Sequence, residues 1–106
     1  MTLRLRSALV ATALTLGLAS GAALASADLA KAKNCVACHA ADKKLVGPSY
    51  KQIAAKYVND KAAAEKLTKK VREGGAGVWG QVPMPPNPQV SAEEAATLVQ
   101  WVLSQK

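Results

Sequence analysis

Two cysteines and one histidine stand close together in the sequence Cys35-Val36-Ala37-Cys38-His39. Two thiols three positions apart can each add across one vinyl group of a haem, which forms two thioether bonds. The histidine that follows directly is then held under the iron as an axial ligand. The spacing therefore predicts one haem c per chain, bound covalently through Cys35 and Cys38 and ligated by His39.

Three other kinds of site contain the same residue types. A redox-active Cys-x-x-Cys pair belongs to a thioredoxin-like βαβ unit, and the sequence indicates no such unit. A zinc site needs about four ligands, so carboxylates would have to join the cysteines and the histidine. A disulfide would close a very small loop, stabilise little and leave His39 without a role. Haem attachment is the interpretation that uses all three residues.

The sixth position of the iron directs attention to Met84, which lies in the segment Val82-Pro83-Met84-Pro85-Pro86. A methionine of the core normally lies on a helix at apolar spacing, whereas prolines fix φ and prevent a helix here. Such a stiff loop presents the thioether in a set direction, so we predict Met84 as the second axial ligand. A His/Met pair raises the reduction potential relative to harder ligands.

Three further residues have a possible supporting role at this site. The carbonyl of Pro48 is free to accept a hydrogen bond from the second ring nitrogen of His39, which would fix the ring; the alternative is a simple turn. The indole of Trp79 could donate to a haem propionate or fill the core. The amide of Asn87 could donate to the sulfur of Met84, or Asn87 could be an ordinary turn residue.

The first residues have the layout of a secretory signal peptide. Arg4 and Arg6 are positive, residues 9–18 are mostly apolar, and small residues follow. Ala-Leu-Ala at 23–25 and Ala-Ser-Ala at 25–27 are competing cleavage motifs, and we favour the cut after residue 27. The apolar run is too short to span roughly 30 Å of hydrocarbon as an anchor. We therefore expect a cleaved signal at residues 1–27, one domain at residues 28–106, and a periplasmic location.

The charge of the remaining chain limits its partners. Without Arg4 and Arg6, the chain has 12 of its 14 basic residues and 7 acidic residues, which gives a net charge of about +5. Of the 12 basic residues, only Arg72 is an arginine. Nucleic-acid binders more often use arginine forks and exposed aromatic residues, so we expect no nucleic-acid partner. The lysines either form a solvated surface or steer the protein toward acidic redox partners. Lys70 and Arg72 could pair with haem propionates or lie on a solvated helix face.

The remaining pattern predicts an all-α fold, since no segment alternates convincingly enough for a strand. Asp28 can cap a first helix to about residue 35, with Leu29, Ala32 and Val36 near one face. A second helix is predicted at roughly residues 50–57. A third is predicted at residues 61–72, after a cap at Asn59 or Asp60 and before a stop at Gly74-Gly75. A last helix opens with a Ser91/Glu94 capping box, and its apolar face contains Ala95, Leu98, Trp101 and Val102.

Taken together, these residues resemble a class I cytochrome c, and within that class the short bacterial cytochrome c-551/c-552 type, also called cytochrome c8. The segments that carry the resemblance are Cys35-Val36-Ala37-Cys38-His39, Val46-Gly47-Pro48-Ser49-Tyr50, Gly77-Val78-Trp79-Gly80, Pro83-Met84-Pro85-Pro86-Asn87 and the closing Trp101-Val102-Leu103-Ser104-Gln105-Lys106. The match extends over essentially all of residues 28–106. Asn34, in place of the usual glycine before the first cysteine, and Ala30, in place of a larger apolar residue, depart from the family pattern.

The resemblance implies four helices around one haem, with the first and last helices crossing so that Leu29 and Ala32 lie near Leu98 and Trp101. It also implies His39 and Met84 as the axial pair, and a monomeric electron carrier that serves a periplasmic reductase or oxidase. Two strong ligands leave no open iron position, which argues against an enzyme. A peroxidase would need a five-coordinate iron and distal acid–base residues, and a gas-binding module would need the methionine to detach.

Overall fold

The structure is a computed structural model that describes residues 11–12 and 19–106 of the chain. The predicted positive residues Arg4 and Arg6 and most of the apolar run lie outside this part. Four α-helices and one short 3₁₀ helix make up the fold, and within the described residues only two isolated β-bridges occur. The elements are α1 (Ala19–Ala32), the 3₁₀ helix (Cys35–Ala37), α2 (Tyr50–Lys56), α3 (Ala63–Glu73) and α4 (Ala92–Leu103).

Helix α1 differs from the prediction at both of its ends. It begins at Ala19, so Asp28 lies exposed inside the helix and caps nothing. It ends at Ala32 because Asn34 takes a left-handed conformation with φ of 65°. The predicted inner face was therefore wrong in part: Ala32 is exposed, and Val36, beyond the helix end, is 47% exposed.

The Asn34 backbone leads to a stability prediction. A left-handed conformation costs roughly 1–2 kcal/mol for a residue with a Cβ, less for asparagine, and nothing comparable for glycine. Asn34→Ala should therefore lower the free energy of unfolding by about 1 kcal/mol, whereas Asn34→Gly should leave it unchanged or raise it. Urea unfolding of the haem-loaded protein measures both, with Asn59→Ala as the control at an exposed turn asparagine of negative φ. Equal losses in the free energy of unfolding for Asn34→Ala and Asn59→Ala would contradict a strained left-handed backbone at Asn34.

Helix α2 begins with a capping box that the sequence analysis missed. The Ser49 hydroxyl accepts from the amide of Gln52 at 3.0 Å, and the Gln52 side chain accepts from the amide of Ser49 at 2.8 Å. Both bonds satisfy amides that have no partner in the first helical turn. Because Ser49 follows Pro48 directly, this cap fixes the backbone next to a predicted site residue.

Helix α3 begins two residues later than predicted. Its N-cap is Ala62, which has no side-chain hydrogen bond, so the prediction of a cap at Asn59 or Asp60 was wrong. Asp60 instead organises the preceding turn: its carboxylate accepts from the amide of Ala62 at 2.9 Å and from Lys66 Nζ at 2.8 Å. The hydrogen bond from Lys66 lowers the pKa of Asp60 below its ordinary value. The helix ends at Gly74 with positive φ, as expected.

Helix α4 is the centre of the fold and contacts each of the other three α-helices. The predicted capping box is present, with Glu94 N donating to Ser91 Oγ at 3.1 Å. Lys33 at the end of α1 reaches Glu94 at 3.3 Å and so ties α1 to α4. The amide of Ser91 is the main cause that lowers the pKa of Glu94.

The core lies where α1 crosses α4. Ala30, Val90, Ala95 and Leu98 form its buried cluster, against which Leu29, Cys35, Val71 and Trp101 pack. The implied contacts of Leu29, Leu98 and Trp101 are thus present, and buried Ala30 takes the place predicted for Ala32. Within the described residues, none of the helices has the length and apolar content needed to cross a bilayer. The core is small, and the apolar side chains beyond it surround a cavity.

Candidate haem site

A cavity of about 350 Å³ opens between the 3₁₀ helix, α2, α3 and the loop that follows α3. The structure brings all seven predicted site residues to its walls. They are Cys35, Cys38, His39, Pro48, Trp79, Met84 and Asn87. Residues spread over more than fifty positions of the chain therefore share one site.

The two cysteines lie at one wall of the cavity and form no disulfide with each other. Burial raises the pKa of the Cys35 thiol, whereas thiol–disulfide exchange depends on a lowered pKa. In the described part of the chain, no group of three or more His, Cys, Asp or Glu side chains is placed to hold a metal ion. The geometry therefore supports neither the oxidoreductase nor the zinc alternative.

The His39 ring is held on three sides. Its Nδ1 lies 2.6 Å from the carbonyl oxygen of Pro48, so a protonated Nδ1 donates there and Nε2 keeps its lone pair for a metal. Tyr50 stacks on the ring with centroids 5.8 Å apart. A Cβ added at Gly47 would lie 2.6 Å from the His39 Cε1 atom, so only glycine fits. The sequence analysis named Gly47 only within a segment that carries the family resemblance and missed this contact.

Met84 is held through its backbone. Its amide donates to the carbonyl of Gly75 at 2.8 Å, and the amide of Gly75 donates to the carbonyl of Met84 at 3.0 Å. These reciprocal bonds form a bridge between the end of α3 and the proline loop. The thioether of Met84 is half-buried at the cavity wall.

Asn87 makes different contacts from the one predicted. Its Nδ2 donates to the carbonyl of Val71 at 2.8 Å and to that of Pro85 at 3.3 Å, rather than to the sulfur of Met84. The physical reason is that the last carbonyls of a helix lack intrahelical partners and compete for nearby donors. In this structure Asn87 caps the end of α3 and braces the Met84 loop.

The remaining predicted residues divide between cavity and surface. Trp79 lines the cavity and is 43% exposed, and Lys56 Nζ lies 5.4 Å from its ring. Lys70 lines the cavity. Arg72 is exposed, and its Nε donates to the carbonyl of Val90 at 3.4 Å. Lys70 is therefore the better placed of the two predicted propionate partners.

A smaller apolar recess of about 80 Å³ adjoins the site and is lined by Cys35, His39, Met84 and side chains of α4. Tyr50 also lines it, and its hydroxyl is buried without a hydrogen-bond partner among the described residues. Burial raises the pKa of Tyr50 to about 12. Trp101 packs edge-on against Tyr50, with centroids 4.9 Å apart. The larger cavity and this apolar recess together place two thiols, an imidazole and a thioether around one largely apolar space, and this donor set fits haem c.

The fold and the site define a class of protein, and comparison with known sequences agrees with it. The cytochrome c family profile matches residues 21–106, and the chain belongs to this family. It carries covalently bound haem c and transfers electrons, and it is not an enzyme. The predictions of an all-α cytochrome fold and of haem c are thus confirmed.

The particular branch of the family follows from close relatives. Cytochrome c-552 of Nitrosomonas europaea is 52% identical over 89 residues, covering 84% of this chain and 86% of the relative. Cytochrome c-551 of Pseudomonas aeruginosa is 55% identical over 78 residues, covering 74% of each chain. The crystal structure of wild-type Nitrosomonas europaea cytochrome c552 superposes with a TM-score of 0.74 at 52% identity, covering 76% of this chain and 99% of that one. The chain is therefore a class I cytochrome c of the small bacterial c-551/c-552 type.

Proposed function

We propose that this chain is a periplasmic mono-haem carrier that moves single electrons from respiratory-chain proteins to a terminal reductase or oxidase. The observation that carries the proposal is the meeting of Cys35, Cys38, His39 and Met84 at one cavity. The cysteines are assigned to the two thioether bonds, and His39 and Met84 to the two axial positions. Haem c supplies one-electron chemistry when bound, by cycling between Fe(II) and Fe(III).

The chain's own residues keep the site in one geometry. Pro48, Gly47 and Tyr50 hold the imidazole of His39 in one orientation. Apolar side chains on the cavity wall limit the entry of water; they include Val46, Ile53, Leu67, Val78 and Val82. Because the ligands keep their positions, the site needs little structural rearrangement when the haem gains or loses one electron. Trp79 and Lys70 are assigned to the propionates, and Asn87 to bracing the loop.

The mouth of the cavity supports docking to acidic redox proteins. Lys44 and Lys70 line the cavity, and Lys56 lies over Trp79. Exposed apolar side chains stand beside them, with Val46 56% and Val82 67% exposed. Lysines around an apolar centre suit a monomer that docks briefly, since the charges speed the encounter and the small apolar area lets the complex separate.

The electrostatic part of this proposal is tested with two small redox reagents of opposite charge. Lys44→Gln should slow the reduction of the ferric protein by anionic hexacyanoferrate roughly threefold at low salt. The same substitution should speed the reduction of the ferric protein by cationic hexaammineruthenium. Lys61→Gln is the control, because Lys61 is an exposed lysine outside the cavity wall. Both effects should shrink as the ionic strength rises. Rates that do not change with salt, or equal effects of the Lys44 and Lys61 substitutions, would refute electrostatic steering at the mouth of the cavity. A separate survey of reduction rates with reductases and oxidases identifies the partner.

Export to the periplasm is part of the proposal and rests on the signal layout of residues 1–27. The structure bears on the choice between the two cleavage sites. Ser26 is only 7% exposed and Ala27 is half-buried on α1, so a cut after residue 27 would remove packed side chains. The cut after residue 27 is the one we propose, with the cut after residue 25 as its alternative. The mass of the protein from a periplasmic fraction decides, because the two products differ by the Ser26-Ala27 dipeptide; a full-length chain in the membrane fraction would refute export and cleavage together.

A further inference from the structure

The end of helix α3 has a conformation that only glycine adopts readily. Gly74 has φ of 73° and ψ of −171°, in a region of backbone space that is essentially restricted to glycine. A Cβ at this position would overlap the carbonyl oxygen of Met84, and it would lie 2.8 Å from Pro86 N and 2.9 Å from the carbonyl carbon of Pro85. All three neighbours are backbone atoms, so no side chain can rotate away to make room.

The same place is where the proline loop is seated on α3. Besides the two bonds between Gly75 and Met84, the amide of Asn87 donates to the carbonyl of Arg72 at 3.1 Å, and its side chain reaches Val71. We call these four hydrogen bonds the seat of the loop. The two bonds from Asn87 occupy carbonyls at the end of α3 that lack partners within the helix, and the four bonds together fix both sides of Met84.

We propose that Gly74 is a positioning residue for Met84: its missing side chain lets the loop backbone approach α3 closely enough to form the seat, which sets how far the sulfur reaches into the cavity. The inference rests on the axial role proposed for Met84. A methyl group at position 74 displaces the Met84 carbonyl, and the bridge to Gly75 opens. The sulfur then competes less well for the iron against an added ligand.

The haem-loaded protein allows a matched comparison of glycines. Gly80 also has positive φ, 115°, but it lies outside the cavity wall and a Cβ there meets no described atom within 4 Å. Gly74→Ala and Gly80→Ala therefore share the backbone strain, and only Gly74→Ala adds the contact with the loop. We expect the ferric Gly74→Ala protein to bind imidazole about tenfold more tightly than the wild type, measured by optical titration, and Gly80→Ala to stay within roughly twofold.

An imidazole affinity of Gly74→Ala equal to that of the wild type or of Gly80→Ala would overturn the positioning role. A wild-type protein without the charge-transfer band of a sulfur–iron bond would instead overturn the axial role of Met84, so the two failures are distinct. If Gly74→Ala loads too little haem, hydrogen exchange of the wild type tests the seat. The amides of Gly75, Met84 and Asn87 should then be protected as one group, and rapid exchange at Met84 would refute it.

Discussion

The Cys35→Ser, Cys38→Ser double variant is expected to contain no covalent haem and to lose its cooperative fold at room temperature. The buried apolar residues of the described chain are few and small; they are Ala30, Tyr50, Ala54, Ala63, Val90, Ala95, Leu98 and Val99. A core of this size is marginal for a domain without a staple such as a cofactor. The cavity of about 350 Å³ beside it would gain apolar contacts from a bound haem, and the whole stability of a small domain is only about 5–15 kcal/mol.

Mass spectrometry and circular dichroism measure the two effects separately. The purified double variant should have the mass of the chain without haem, and it should show weak helical signal and no sharp thermal transition. The single variants, Cys35→Ser and Cys38→Ser, are the matched controls, since each keeps one thiol and should keep part of the haem through one thioether bond. Covalent haem in the double variant would refute the attachment site. A cooperative transition without haem would refute the stabilising role of the cofactor.

The sequence was sufficient for features that local chemistry determines. The capping box of Ser91 and Glu94, the stop at Gly74 and the apolar face of α4 all follow from neighbouring residues, and the structure contains each of them. The cavity residues were predictable for another reason: the Cys-x-x-Cys-His spacing and a methionine among prolines are uncommon outside haem chemistry. These patterns need no knowledge of the distant contacts.

Most of the features that sequence analysis missed depend on distant parts of the chain; the capping box of Ser49 and Gln52 is a local exception. Asp28 is a residue type that is common at the N-cap of helices, but α1 includes residues from Ala19 onward, so Asp28 lies inside the helix and its capping preference has no effect. Asn87 was predicted either to bond the sulfur of Met84 or to be a turn residue. It accepts from the amide of Val90 in a turn, and its side-chain amide donates to the carbonyl of Val71, sixteen positions away, a contact that neither alternative contained. Tyr50 was named only within a segment that carries the resemblance, and its role was missed because it depends on packing against His39 and Trp101.

Met84→Ala is expected to keep its covalent haem and its fold but to change its spectrum and reduction potential. The cysteines are untouched, and the backbone bonds between Met84 and Gly75 do not use the lost side chain. Loss of the sulfur should remove the charge-transfer band of the Met–iron bond and open the sixth position. The potential should fall by an amount on the order of 0.1 V, within the roughly 0.8 V range that axial ligands cover, because a soft thioether favours the reduced state.

Two further variants separate ligand identity from a general disturbance of the loop. Val82→Ala truncates a neighbouring side chain that is 67% exposed at the same cavity wall, and it should leave band and potential unchanged. Met84→His restores a strong ligand from the same backbone position, so it should regain a six-coordinate spectrum while its potential stays low. An unchanged band in Met84→Ala would contradict the axial assignment. Equal shifts in Val82→Ala and Met84→Ala would show that the loop, rather than the sulfur, controls the potential.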